Sequence, residues 1–520
     1  MLKYIIVYSK LFSKTIFLFF IFSFCFYHLE AQKKIQTKAD WGYHDEEAFP
    51  GINKLVGNVV FRHNEITGYC DSAYFHENNN LIEAFGRKVK IIINDSTTLY
   101  GKYVIYNGDT KISSISKNVI LEDNTSALYT DSLIYDLNTN IAYYLTGGKM
   151  INKDNTLTSK LGYYHTNSHL VFLYKNVTVL NESYTITCDS LSFNTDKEVV
   201  YFISRTHLVS EESEIFTTSG WYDTKKDISL LVKDVEIYNG AQKVFGDSIY
   251  YDKIQKYGTG WNNVIVCDTA KGYILKGNYV EYYEAGGISS ATDSAMLVLI
   301  DQEDSLYVHA DIFHIHIDSV QEPQLILAFN HVKFYRNDMQ GACDSLSYSM
   351  PDSLLVMYYN PVVWTETYQL TADTIFFYTV DSVNMKIHLS KAAFIVSSLY
   401  GDTEFDQIKG HNIYGLVRDK ELIQVDVIGN AECLYYMQDD DGSLIGINSS
   451  VASEMRIFFE DKQISRLTKY NEPSGKIYPD EQLPVEEKKL KNFRWLVIYR
   501  PLEVKDIFHT PVPRMKEERE

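Results

Sequence analysis

Apolar and polar residues alternate with a period of two along most of the chain. At residues 131–135, the first, third and fifth positions fall on one face of an extended segment, so Leu133 and Tyr135 point to the same side. This alternation, in runs rich in β-branched and aromatic residues, predicts strands rather than helices. Polar triplets such as residues 138–140 separate the runs and predict tight turns.

The strand pattern itself repeats along the chain. An Asp-Ser or Asp-Thr pair followed by alternating apolar residues begins at Asp71, Asp131, Asp189, Asp247, Asp344 and Asp373. The steps from 131 to 189 and from 189 to 247 are both 58 residues, and weaker copies at the midpoints halve this period to 29. One such unit, predicted to hold about three short strands, cannot bury its apolar face alone, whereas stacked units share a continuous core.

The predicted architecture is an all-β, elongated, open β-jelly roll or β-solenoid of about a dozen stacked 29-residue repeats with a short Pro-rich C-terminal tail. Six of the ten prolines lie in the last 50 positions, and because proline cannot join a β-ladder the sheet should stop near residue 471. Within the tail, residues 493–499 should add one strand or dock on the end of the array. The predicted segments are a signal peptide at 1–31, a leader at 32–54, jelly-roll repeats at 55–250, looser β repeats at 251–470 and the tail at 471–520.

Composition and charge exclude several classes of function. Hydrophobic residues make up 45% of the chain, which excludes general disorder. The formal net charge is −19, and no cluster of Lys and Arg offers the basic face that a nucleic-acid partner requires.

The N-terminus has the pattern of a secretory signal. Lys3, Lys10 and Lys14 precede an apolar run at residues 16–27, and the small residue Ala31 offers a cleavage position. The run is shorter than the roughly 20 residues that span a bilayer. We therefore expect export and no transmembrane span after cleavage. Residues 1–31 carry a net charge of +2, so their removal changes −19 to −21.

Three groups of residues could carry chemistry, and each has a simpler structural interpretation. The repeat aspartates could form a carboxylate row for acid–base catalysis, but their regular recurrence favours structural turn caps. His309, His314 and His316 could bind a metal, yet alternation places His309 on the opposite face from the other two. The acidic run at residues 439–442 lacks the spacing of a calcium loop and is interpreted as a solvated turn. We expect no catalytic residue, no metal and no cofactor.

Cysteine usage gives no disulfide framework. Cys70, Cys188 and Cys343 all stand immediately before a repeat aspartate. Equivalent positions in distant units lie beyond the roughly 7 Å between Cα atoms that a disulfide tolerates. The sequence leaves the state of Cys267 and Cys433 open.

Residues 57–62, 69–75 and 83–86 resemble the organic-solvent-tolerance (OstA-like) family of lipopolysaccharide-transport jelly rolls. The likeness is to its long periplasmic members of the Bacteroidetes type, and it is best at about residues 50–200 and looser after 250. The resemblance implies an open jelly roll of antiparallel strands whose apolar interior receives the acyl chains of lipopolysaccharide. It also implies that neighbouring jelly-roll components dock end to end by strand addition.

If the chain has the lipid-binding interior that this resemblance implies, the inward-facing residues of the repeat should line the lipid groove. They are Phe75, Val104, Tyr106, Leu133, Tyr135, Leu191, Phe193, Ile249, Tyr251, Leu346, Tyr348, Ile375 and Phe377. We expect a non-enzymatic protein in the periplasm of a Gram-negative bacterium, free or associated with the outer membrane. A structural or adhesive surface solenoid with a filled interior, and a solenoid enzyme acting on polysaccharide, are the alternatives.

Overall fold

The computed structural model describes residues 34–47, 49–94, 96–284, 286–301, 304–318, 322–398, 404–439, 443–479 and 483–509. The predicted signal peptide lies outside these residues. The chain divides into two compact units, residues 1–182 with 187–197 and residues 183–186 with 198–520. Both units consist mainly of antiparallel strands, which confirms the predicted all-β class.

The described residues of the first unit contain thirteen strands, most of a fourteenth and one short 3-10 turn, Glu77–Asn79. The strands are β1 (Gln36–Lys38), β2 (Trp41–His44), β3 (Ile52–His63), β4 (Ile66–His76), β5 (Leu81–Ile93), β6 (Thr97–Asn107), β7 (Ile112–Glu122), β8 (Ser126–Asp136), β9 (Ile141–Tyr144), β10 (Gly148–Asn152), β11 (Asn155–Ser159), β12 (Leu161–His165), β13 (Leu170–Leu180) and β14 (Tyr184–Asn194).

The second unit continues with β15 (Val199–Phe202), β16 (Thr206–Ser210), β17 (Glu214–Thr217), β18 (Ser219–Asp223), β19 (Ile228–Asn239), β20 (Gln242–Asp252), β21 (Tyr257–Asp268), β22 (Tyr273–Tyr283), β23 (Ile288–Thr292), β24 (Met296–Leu299), β25 (Leu306–His309), β26 (Ile312–Ile317), β27 (Pro323–Arg336), β28 (Met339–Ser349), β29 (Leu354–Tyr358), β30 (Val362–Thr365), β31 (Tyr368–Thr371), β32 (Thr374–Thr379), β33 (Asn384–Ser397), β34 (Asp406–Arg418), β35 (Glu421–Gln438), β36 (Leu444–Glu460), β37 (Gln463–Tyr470) and β38 (Ser474–Tyr478). It ends with 3-10 turns at Val485–Glu487 and Val497–Tyr499 and a short helix, α1 (Asp506–His509).

A corner divides each long strand into two halves. Strand β3 pairs with β4 in two stretches, with a shift of register between Val56 and Val59. The residues between them, Gly57 and Asn58, have φ values of 82° and 45°. Two residues of β3 thus face the single residue Asp71 of β4, which is a β-bulge that bends the strand.

The strand halves on one side of the corners pair with one another, and the halves on the other side do the same. Each unit therefore has two layers, which are joined at the corners. We call the layer that contains residues 52–56 and 72–76 the A layer, and the layer that contains residues 59–63 and 66–70 the B layer. In some later hairpins a separate strand forms each half: β9 pairs with the A-layer end of β8, and β10 pairs with its B-layer end.

Several corners recur in the sequence as a pair of residues that ends in Asn. Lys117 with Asn118, and Lys175 with Asn176, have φ values between 53° and 67°. Asn enters this left-handed region more readily than most other residues. Each 29-residue repeat is therefore a hairpin of two bent strands, and β4, β6 and β7 each have 11 residues. The prediction of three short strands per unit was wrong, because the corner interrupts the apolar alternation without ending the strand.

Three segment predictions need correction. The leader at 32–54 is not a separate segment, since it contains β1, β2 and the start of β3. The sheet does not stop near residue 471, because β38 pairs with β36. Residues 493–499 neither add a strand nor dock on the end of the array; they pack on Phe405 and on the outer face of β33, β28 and β30. Among the described residues, no helix is long and apolar enough to cross a membrane.

Candidate functional site: the apolar interior

The predicted lining residues lie on the A layer of their units. Tyr106, Tyr135 and Phe193 are at most 1% exposed, and Tyr251 and Tyr348 are half-buried. The others are buried: Phe75, Val104, Leu133, Leu191, Ile249, Leu346, Ile375 and Phe377.

Sequence reasoning missed the facing B layer. Its inward side chains are as deeply buried as those of the A layer, and they include Phe61, Ile91, Leu99, Val119, Leu121, Leu128, Met150, Leu157, Val177 and Val179. The signal was present, because the apolar alternation resumes directly after each corner Asn, as at Val119 and Leu121. Within each unit the two layers bury apolar side chains between them, which stabilises the fold by roughly 25 cal/mol for each Å² removed from water.

Side chains fill the interior of the first unit around Tyr144. A Cβ atom added at Gly162 would lie 2.4 Å from Cζ of Tyr144, and one added at Gly148 would lie 2.5 Å from the same atom. The hydroxyl of Tyr144 lies 2.7 Å from Oγ of Ser159 in the B layer, which fixes the ring. The two layers are therefore packed against each other here, and glycine makes room for the aromatic side chain.

A line of polar contacts joins the two layers of the first unit along the edge opposite the corners. Asn152, which is fully buried, donates to the main-chain oxygen of Thr195 and to Oγ of Ser126, each over 3.0 Å. The hydroxyl of Tyr164 donates to the carboxylate of Asp123. We call these five residues the polar seam.

Tyrosines recur beside this edge with the 29-residue period, at Tyr106, Tyr135 and Tyr164. The Tyr106 hydroxyl lies 2.6 Å from Nδ1 of His63 in the B layer, and the Tyr135 hydroxyl lies 3.0 Å from Oγ1 of Thr166. Burial raises the pKa of Tyr106 and Tyr164, and Asp123 raises that of Tyr164 further. These phenols therefore remain protonated donors at neutral pH.

The repeat aspartates lie exposed at the corners, away from the interior; they are Asp71, Asp131, Asp189, Asp247, Asp344 and Asp373. Oδ2 of Asp71 accepts the backbone N–H of Arg87 over 2.8 Å, as expected of a cap. Oδ2 of Asp247 accepts from the side-chain amide of Asn263 over 3.0 Å. For the others, the cap role remains a prediction.

The histidine and acidic candidates do not form a metal site in the described part of the chain, where no group of three or more His, Cys, Asp or Glu residues is placed to hold an ion. Nδ1 of His309 lies 2.8 Å from the main-chain oxygen of Ala295, and desolvation lowers the pKa of this histidine. His314 packs its ring on Phe329, and His316 lies on the same strand. Residues 440–442 of the acidic run lie outside the described part.

The five cysteines of the described chain form no disulfide bond with one another: Cys70, Cys188, Cys267, Cys343 and Cys433. Burial raises the pKa of Cys70 to about 12, and it also raises the pKa of Cys343 and Cys433. These three side chains act as small core residues rather than as reactive thiolates.

The fold and its interior define an antiparallel β protein with two apolar layers joined at regular corners. Residues 32–189 match the family described as OstA-like protein, which confirms the family resemblance for that part of the chain. A search of curated proteins found no match.

Solved structures were also compared. The crystal structure of LptH from Pseudomonas aeruginosa, the LptA-homologous periplasmic component of the lipopolysaccharide transport device, is 14% identical; the alignment covers 20% of this chain and 76% of that chain with a TM-score of 0.19. The WD40 domain of SCAP from fission yeast is 10% identical over 58% of this chain and 85% of that chain, with a TM-score of 0.09. At these TM-scores neither structure carries an argument about this chain.

Proposed function

We propose that the chain is a non-enzymatic, periplasmic, lipid-binding protein that carries lipopolysaccharide toward the outer membrane along its apolar interior. The observation that carries the proposal is the pair of apolar layers in the first unit, in the segment that matches the OstA-like family. Each methylene of an acyl chain that moves from water into such an interior gains about 0.8 kcal/mol. A lipid with several chains could therefore cross an aqueous space in this environment.

In this proposal the polar seam is the entrance for acyl chains. The packed interior offers them room only when the layers separate, and the corners act as the hinge because they join the layers covalently. The seam lies on the other edge, where hydrogen bonds such as that from Tyr164 to Asp123 hold the layers together. Each neutral hydrogen bond contributes about 0.5–1.5 kcal/mol and each charged one about 1.5–3 kcal/mol, so incoming lipid could replace a few of them.

Strand addition would join the protein to its neighbours. In the first unit, β2 pairs with β3 in the described structure, and it presents Trp41 and Tyr43, which are 77% and 57% exposed. In the second unit, β38 pairs with β36 and presents Ile477, which is 60% exposed. A strand at the edge of a sheet offers main-chain groups that a partner's strand can pair with. The net charge of −19 requires that the anionic lipid headgroup stay outside the interior or be bridged by divalent cations.

Site-specific photo-crosslinking in cells tests this proposal. A photo-reactive residue in place of Tyr135 in the A layer, or Leu121 in the B layer, should capture lipopolysaccharide. The matched control is Ile134, which neighbours Tyr135 but faces outward and is half-buried. Equal capture at positions 134 and 135 would refute the interior path.

The filled interior favours a second candidate, a structural or adhesive surface solenoid. Such a protein needs its layers closed throughout, as in the packing of Tyr144 against Gly162. Under this candidate, photo-reactive residues at positions 121 and 135 capture no lipid, while one in the edge strand β2 captures protein.

A further inference from the structure

The C-terminal segment crosses the outer face of the second unit without joining its sheet. We call residues 483–509 the strap; they contain no strand. Its apolar side chains pack on outward-facing residues of the B layer. Leu490, Phe493 and Trp495 cover Phe394 and Val396, whereas the neighbouring Ala393 and Ile395 belong to the interior.

Further along, Leu496 and Tyr499 cover a cluster around Trp364 and Val362. Ile507 of α1 covers Met296 and Val298. The strap therefore runs back along the array, from the last strands toward β24.

Two buried glutamines hold the main chain of the strap. The amide of Gln407 donates to the oxygen of Lys488 over 2.9 Å and accepts the N–H of Leu490 over 2.8 Å. The amide of Gln369 donates to the oxygen of Arg494 over 2.8 Å and accepts the N–H of Leu496 over 2.7 Å. Both glutamines are at most 1% exposed.

A third glutamine continues the series, since Oε1 of Gln340 accepts from Nε of Arg500 over 2.7 Å. The three glutamines lie on one cross-strand row of the B layer, which we call the outer row. Successive partners along it are Gln340, Trp364, Gln369, Val396, Gln407 and Leu434.

The strap has its own repeat, which matches that row. Leu490 and Leu496 are six residues apart, and Phe493 and Tyr499 follow these two leucines by three. Leu502, six residues further on, is 73% exposed and is not part of the docked repeat. Successive glutamines of the outer row are two strands apart, about 10 Å. Six residues span this distance because the strap is coiled, with a 3-10 turn at Val497–Tyr499. One six-residue step of the strap thus serves one hairpin of the array.

We propose that the outer row is a peptide-binding groove and that the strap is its resident ligand. Gln407 and Gln369 contact main-chain atoms, so they fix the register of any extended segment, while the apolar clusters select leucine and aromatic side chains at six-residue spacing. All of these contacts can be made by a strap that is not covalently joined to the sheet. The occupant that fits is this same segment, and the groove accepts it from a second copy of the chain when its own strap leaves.

Cutting the connection in the full-length chain tests the proposal. A specific protease site is inserted between residues 479 and 483, and after cleavage the protein is mixed with a dye-labelled synthetic peptide of residues 483–509. Fluorescence anisotropy should show saturable binding that unlabelled peptide reverses. A control peptide with one extra residue between Arg494 and Trp495 should bind at least tenfold more weakly, because it breaks the six-residue register.

Two variants of the cleaved chain sharpen the test. Gln369→Leu has a similar volume but removes both hydrogen bonds to the strap, and it should weaken peptide binding about tenfold. It also removes the acceptor of the Trp364 indole N–H, which lies 3.3 Å from Oε1 of Gln369. Gln424→Leu, in the A layer, should leave binding unchanged. The proposal is overturned if cleavage abolishes the β-sheet circular dichroism, if the cut strap never exchanges, or if the register-shifted peptide binds as well as the native one. None of these results depends on lipid, so they leave the transport proposal to its own test.

Discussion

The hydroxyl of Tyr164 donates a hydrogen bond to Asp123 across the edge of the first unit. Asp123 also accepts the backbone N–H groups of Thr125 and Ser126, each over 2.8 Å, so its carboxylate keeps partners when the tyrosine is changed. The hydrogen bond from Tyr164 thus links the two layers, and the Asp123 carboxylate keeps its two backbone donors without it.

Tyr164→Phe should loosen the polar seam while leaving the fold intact. A hydrogen bond to a charged group contributes about 1.5–3 kcal/mol, so amide exchange in residues 123–126 and 152–155 should accelerate about tenfold or more. Hydrogen-exchange mass spectrometry measures this directly. The matched control is Tyr163→Phe on the outer face, where the ring stacks on Tyr143; the same acceleration in this control would contradict the assignment.

Gly162→Ala should destabilise the first unit by about 1–3 kcal/mol, because the new methyl group would overlap the ring of Tyr144 in a packed interior. Gly42→Ala in β2 is the control, since its Cβ would meet only Leu55 at an ordinary 3.9 Å. Its effect should stay within about 0.5 kcal/mol. Urea unfolding of both variants distinguishes a filled interior from an empty groove, into which Tyr144 could simply rotate.

At the corner residue Asn118, substitution by glycine should preserve the stability of the fold, whereas substitution by a β-branched residue should lower it. Its φ of 53° lies in the left-handed region. Asn118→Val should lower the free energy of unfolding by about 1–2 kcal/mol, whereas Asn118→Gly should change it little. Thermal unfolding checks both; equal midpoints for the two variants would show that the corner conformation carries no strain.

Asp406 should make the second unit less stable as the pH rises. Burial raises the pKa of this carboxyl to about 7, although the N–H of Tyr436 acts in the opposite direction. An unfolded aspartate has a pKa of about 3.9, so the contribution is fully present below pH of about 4 and is lost as the pH rises to about 7. The loss amounts to at most about 4 kcal/mol.

Asp406→Asn should remove this pH dependence. The variant should match the parent chain near pH 4 and exceed it in stability near pH 8. Urea midpoints at several pH values give the comparison, and Asp373→Asn, at an exposed corner, serves as the control. A parent chain whose stability rises between pH 5 and pH 8 relative to Asp406→Asn would contradict the prediction.

Alternation alone located the inner face of the A layer, because a strand with one buried face repeats every two residues. The same rule applied after each corner would have located Val119 and Leu121 in the B layer. It was not applied there because the polar corner residues interrupt the alternation, and the apolar pattern does not show that the strand continues past them. The polar seam was not predicted either. Asp123 and Asn152 are residues typical of ordinary turns, and only the fold brings them to Tyr164 and Thr195.

The strap was missed for a different reason. Residues 493–499 were expected to add a strand or to dock on the end of the array, and the prolines of the tail say nothing about docking on the face of a sheet. The complementary signal lies in β33, where Ala393 to Val396 form an unbroken apolar run. Such a run indicates a strand that is covered on both faces.

Because each hairpin beneath the strap is covered by six strap residues, the length of the strap depends on the number of hairpins that it covers. A descendant that gained one hairpin beneath the strap would leave a stretch of apolar sheet facing water unless six tail residues were added with it. Growth or loss of units in this half of the protein therefore has to be matched, step for step, at its C-terminus.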